Sequence, residues 1–96
     1  MSKKIRIPEV DDFFEALLLL KDKEELYSFF EDVCTTNEVL AIAQRYQVAM
    51  LLNQGRTYQE IAEISGASTA TISRVKRSMA DGNGGYDTVF ERLKDK

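Results

Sequence analysis

One spacing restricts this chain more than any other. Ile61 and Ala62 are followed by Gly66, then by Ser68, Ile72 and Val75. A short helix over about 58–64, with Ile61 and Ile64 facing inward, runs into a glycine that accepts the left-handed backbone needed for a sharp reversal. A second helix follows at once, anchored from beneath by Ile72, Val75 and Met79 at i, i+3 and i+7. Ala62 is small where the two helices cross. Thr57 and Glu60 have the spacing of a capping box, and Ser68 caps the second helix, with Thr69 as the alternative cap. Residues 57–79 therefore read as a helix-turn-helix. One position departs from that pattern: Ser65 stands where an aliphatic residue usually precedes the glycine.

The rest of the chain reads as helices built round this segment. Residues 1–7 form a loose, basic N-terminal arm. Pro8 suits the first turn of a helix, and Glu9, Asp11 and Asp12 favour its positive end. Phe13, Phe14, Leu17, Leu18 and Leu20 give that helix a wide apolar face ending near Leu20. Asp22 caps a second helix, which reaches about Cys34 and carries Leu26, Phe29, Phe30 and Val33 on one face. Thr35 and Glu38 form a second capping box, opening a third helix that runs to Gln54, with Gly55 as its left-handed terminator. The apolar residues of this third helix occupy nearly every side, from Val39 and Leu40 to Leu51 and Leu52. A helix apolar all round needs covering all round, and 96 residues provide little cover. A homodimer in which the partner supplies part of that cover answers this; a central helix in a monomeric bundle is the alternative. After a break at Asp81–Gly85, Tyr86, Val89, Phe90 and Leu93 mark a sixth, closing helix over 86–94. The expectation is an all-α single domain of six helices, with residues 8–55 as dimerisation helices.

Composition removes several functions. There is no His and one Cys, Cys34, so neither an internal disulfide nor an all-protein zinc site is expected. No nucleophile–base–orienter set is visible, so no catalytic residue is expected. The longest apolar run, Ala16–Leu20, is far too short to span a membrane, and no signal peptide is seen; a reducing cytoplasm is the expected location. The net charge is −3, unevenly spread. Residues 1–40 carry five basic and ten acidic side chains, whereas residues 56–79 carry four basic and two acidic. An acidic body with one basic edge restricts where a polyanion can dock.

That edge lies on the second helix of the motif. Opposite its anchors, at 100° per residue, lie Ala70, Ser73, Arg74 and Arg77, flanked by Thr69 and Lys76 on one side and Thr71 on the other. Short side chains at the front let a helix enter a major groove, and the cations behind them reach base edges or phosphates. A basic helix face taken alone is usually just solvated; its place on the second helix of this motif favours double-stranded DNA. For Ser68 the capping role comes ahead of base contact and is compatible with a phosphate contact, and Gln59 near the start of the preceding helix touches backbone phosphate or is simply exposed. Thr69, Thr71 and Ser73 contact phosphates or thymine methyls, or form ordinary helix surface.

The string Gly66-Ala67-Ser68-Thr69-Ala70-Thr71-Ile72-Ser73-Arg74, with Ala43-Gln44-Arg45 and Arg74-Val75-Lys76-Arg77, resembles the Trp repressor superfamily, nearest its TrpR-like YerC/YecD-type branch. The likeness covers about residues 10–93. It implies an intertwined, six-helix homodimer that represses transcription from a palindromic operator. It also implies a small-molecule co-repressor site at Arg45 and Arg74, the positions that resemble the two arginines enclosing the indole of L-tryptophan. Val75 replaces the glycine expected beside Arg74, and its branched side chain crowds that slot, so L-tryptophan is disfavoured and the effector's identity stays open. An ion pair with Glu38, or with another acid in the dimer, is the alternative role for Arg45. The competing function is a helical interaction module that kept the fold and lost DNA binding, motivated by the net acidity and by Ser65. A helix-turn-helix half of a transposase or sigma-like protein fits a chain of this size less well.

Overall fold

The computed structural model describes residues 4–96, in which six α-helices and no strand are found. The helices are α1 (Pro8–Leu18), α2 (Lys23–Val33), α3 (Thr36–Asn53), α4 (Tyr58–Ser65), α5 (Thr69–Asp81) and α6 (Gly85–Lys94). The chain divides into two compact units, one ending at Val39 and one running from Leu40 to Lys96. The first three residues of the expected N-terminal arm lie outside the described residues; Lys4–Ile7 are exposed and non-helical.

In the unit ending at Val39, local chemistry sets the helix limits. Pro8 opens α1, and the Ile7 carbonyl accepts from Val10 and Asp11. The helix stops at Leu18, two residues short of the expected end, because the next two amides bond back to Ala16 and Leu17 in a tighter turn. Asp22 caps α2 by accepting from the Glu25 amide at 2.9 Å, while the Glu25 carboxylate accepts from the Lys21 amide at 2.7 Å. Phe13, Phe14, Phe29 and Phe30 form an aromatic cluster with ring centroids 5.9–6.2 Å apart. That is the usual range for favourable ring pairs. No residue of α1 or α2 is fully buried, and Leu18 and Leu19 are 85% and 78% exposed. The apolar faces read from the sequence are present, but Leu26 and Val33 point to solvent.

The unit from Leu40 holds the buried core. Val48, Ala49 and Leu51 of α3 meet Ile61 of α4, Ala67 of the turn, Ile72 and Val75 of α5, and Phe90 of α6. Tyr46 and Tyr86 pack on the Phe90 ring at 5.8 and 6.1 Å. The α3 helix is buried only towards its C-terminal end; Leu40 and Ile42 are 60% and 52% exposed. Gly55, at φ +81°, closes α3 with paired bonds from Gly55 to Leu52 and from Arg56 to Leu51. This is the double-bonded glycine terminator that relieves the last carbonyls of a helix.

Candidate nucleic-acid interface

Two caps and one glycine position the helices of residues 57–81. Thr57 accepts from the Glu60 amide, and Glu60 accepts from the Thr57 amide at 3.0 Å, so the expected capping box is complete. Bonding of the charged form by Thr57, through its backbone amide first and its side chain second, lowers the Glu60 carboxyl below its ordinary value, and nearby Arg56 adds to the effect. The Thr35–Glu38 box does the same for Glu38. Gly66 then reverses the chain at φ +73°, its amide bonded to the Ala62 carbonyl at 2.9 Å. Ser68 caps α5 by accepting from the Thr71 amide at 3.2 Å, and its hydroxyl also meets the Thr71 hydroxyl at 3.2 Å.

Ser65 proves to be part of the turn. Its hydroxyl donates to the Ile61 carbonyl at 2.6 Å and accepts from the Ala67 amide at 3.1 Å. Its carbonyl accepts from the Gln44 side chain on α3 at 3.1 Å. A half-buried hydroxyl can replace an aliphatic residue here because both of its bonding capacities are met inside the turn. Ile64, expected to face inward, is instead 50% exposed. It lies 300° round from Ile61, at the margin of the buried stripe of so short a helix.

The α5 helix separates two faces. Ile72 and Val75 are buried and Met79 is half-buried, as expected for anchors. Thr69, Ala70, Ser73, Arg74, Lys76 and Arg77 are exposed, as is Ser68, and Thr71 is half-buried. The helix continues to Asp81, two residues beyond the expected limit. Gln59 is exposed on the first turn of α4. Among the described residues the ion pairs are Arg56–Glu60 at 3.5 Å and Lys94–Glu91 at 3.2 Å. The cations of α5 thus take part in neither.

Arg45 is exposed on α3 and does not pair with Glu38, whose carboxylate is held by Thr35. Neither Arg45 nor Arg74 takes part in an ion pair among the described residues, and neither lines the groove of about 450 Å³ beside α2, formed by Leu20, Asp22, Glu24, Glu25, Ser28, Phe29 and Asp32. Val75, next to Arg74, belongs to the buried core. The carboxylates of Asp11, Asp12 and Glu15 come within 4.8 Å of one another on α1, all exposed, as solvated surface acids commonly do. No described helix is long and apolar enough to cross a membrane.

Two contributors escaped the reading of the sequence. Gln44 stands at i, i+4 and i+7 with the buried Val48 and Leu51, a spacing that places it on the core side of α3. Tyr58 is half-buried against the core and also lies beneath Lys76, whose Nζ is 5.6 Å from its ring centroid.

Comparison with known proteins agrees with this geometry. Residues 8–94 match the family described as Trp repressor protein. The chain is 50% identical over 92 residues to the uncharacterized protein YerC of Bacillus subtilis strain 168, covering 96% of this chain and 88% of that one. It superimposes on the crystal structure of a TrpR-like protein from Eubacterium eligens with a TM-score of 0.92 at 57% identity, covering 97% and 96% of the two chains. A candidate Trp repressor from Staphylococcus aureus also gives 0.92, at 47% identity and 99% and 98% coverage.

Proposed function

The chain belongs to the Trp repressor family, and from that premise we propose that it is a sequence-specific transcriptional repressor acting as a homodimer on a palindromic DNA operator. One observation carries the reading: the two-faced α5, rooted by Ile72 and Val75, with small and hydroxylated residues at its front and Arg74, Lys76 and Arg77 behind them. In this arrangement α4 crosses the backbone and α5 enters the major groove. Arg74 and Arg77 address guanine or phosphate; Lys76, Ser68 and Gln59 address phosphate; Thr69, Ala70, Thr71 and Ser73 line the approach to the bases.

The exposed apolar residues support the dimer. Leu18, Leu19, Leu40 and Ile42 stay in water in a single chain, and a two-fold partner would cover them. A small-molecule co-repressor held by Arg45 and Arg74 belongs to the same reading; Val75 speaks against L-tryptophan as its identity.

The test is selection of bound sequences from a random DNA pool, followed by gel retardation on genomic fragments at low salt. A folded protein that retards no fragment would leave the helical interaction module as the better reading. Repeating the selection with candidate metabolites tests the co-repressor: an effector must change the affinity, the sequence preference or both.

A further inference from the structure

Lys76 and Tyr58 lie eighteen positions apart and on different helices, yet Lys76 Nζ sits 5.6 Å from the Tyr58 ring centroid. That is within the range at which a ring face attracts an ammonium ion. The platform is firm. Tyr58 is the first residue of α4, directly after the N-cap Thr57 and inside the capping box that fixes its backbone, and it packs against the buried core. The backbone that carries Lys76 is fixed as well, since its neighbour Val75 is 3% exposed in that core. A free lysine samples many rotamers, and each must be given up when it meets a phosphate. A lysine already resting on a fixed ring gives up fewer. Its three N–H donors stay on the exposed flank of α5, because a ring face takes none of them as an ordinary hydrogen bond.

We propose that Tyr58 is a positioning residue for DNA binding, holding Lys76 over the flank of α5 so that its ammonium meets one backbone phosphate beside the groove. This rests on the functional reading above and extends it to a residue that need not touch DNA. The pairing also ties the first turn of α4 to the middle of α5, so the lysine marks a fixed point on the DNA-facing surface.

The experiment is a double-variant cycle in the full chain, read by affinity for the selected DNA over a range of salt concentrations. Tyr58→Leu should weaken binding about two- to fivefold, the range expected of an exposed cation–ring contact. Tyr58→Phe, which keeps the ring, should bind like the parent. In a Lys76→Ala background, Tyr58→Leu should have little further effect. A loss of equal size in that background would mean that Tyr58 serves only the fold, and would overturn the proposal. A readout without DNA accompanies it: the Lys76 Hε protons should be shifted upfield in the NMR spectrum of the free protein, and the shift should vanish in Tyr58→Leu but survive in Tyr58→Phe. Its absence from the parent protein would also overturn the proposal. Failure of the parent to bind any DNA while the upfield shift is present would reject the functional reading and the phosphate role together, leaving only the contact.

Discussion

The side-chain amide of Gln44 donates to the carbonyl oxygen of Ser65 at 3.1 Å, tying α3 to the turn between α4 and α5 across 21 positions. The bond is part-buried, so its loss leaves the Ser65 carbonyl without that donor and with limited access to water. Gln44→Leu should therefore lower stability by about 1 kcal/mol, the usual net value of one such bond. Urea unfolding followed by circular dichroism measures it. A midpoint equal to that of the parent would show that the turn is held without this brace.

Gly66 is the second hinge of the same turn. At φ +73° it has nothing within 4 Å of the place where a Cβ would stand. The cost of Gly66→Ala is then almost wholly the left-handed backbone, about 1–2 kcal/mol. Gly66→Asn should cost less, because asparagine tolerates that region better. If the two variants lost equal stability, the left-handed backbone would not be what sets the cost at this site.

The turn also shows which parts of this molecule could be read in advance. Both capping boxes and the Ser68 cap join residues within three positions of each other, so residue types and spacing suffice to find them. The outward face of α5 follows from the phase of Ile72 and Val75. Gln44–Ser65 and Lys76–Tyr58 connect separate helices and depend on how those helices pack, which no local spacing specifies. Ile64 was misplaced for a related reason. Its three-residue step from Ile61 fits an inward face, but an eight-residue helix buries only a narrow stripe. The role assigned to Arg45 likewise needs a distance between helices, and spacing along the chain gives none.

Glu38 and Glu60 make stability depend on acid. Each carboxyl is lowered from an ordinary value of 4.5, first by the backbone amide it accepts from and then by the threonine side chain. A carboxyl lowered on folding contributes stability that is fully present above its unfolded value. That contribution fades as pH falls through the lower folded value. A Glu38→Gln/Glu60→Gln double variant keeps the reciprocal bonds but lacks the charge. It should be less stable than the parent near neutral pH, and the gap should close as pH falls below the ordinary glutamate value and through the lower folded one. A gap that stays constant in urea midpoints over that range would mean that neither charge contributes.

Arg77 and Lys76 are adjacent on α5, and both are exposed, but they should fail differently. A lysine on phosphate serves every sequence alike. Lys76→Ala should weaken binding to selected and random DNA equally and reduce the salt slope by about 1. A guanidinium reading a base edge discriminates, so Arg77→Ala should lose about 1–3 kcal/mol on the selected sequence and much less on random DNA. Competition titrations on both DNAs decide this; equal losses for Arg77→Ala would move that residue to the phosphate set.

Leu40 and Ile42, near the start of α3, test whether the dimer is real. Both are more than half exposed in the single chain, although α3 is a regular helix and its C-terminal end is buried. Burying a leucine side chain contributes about 1.5–3 kcal/mol, and two-fold symmetry would count each such residue twice. Leu40→Glu removes that contribution from both copies and would place a charge in the interface. The variant should sediment as a monomer at micromolar concentrations where the parent is a dimer, with its helix content largely retained because Leu40 lies outside the buried core. Its affinity for a palindromic site should fall by more than tenfold, whereas binding to a single half-site should change little. A parent protein that sediments as a monomer at high concentration would refute the dimer outright. It would also require another partner for the apolar surface of α3.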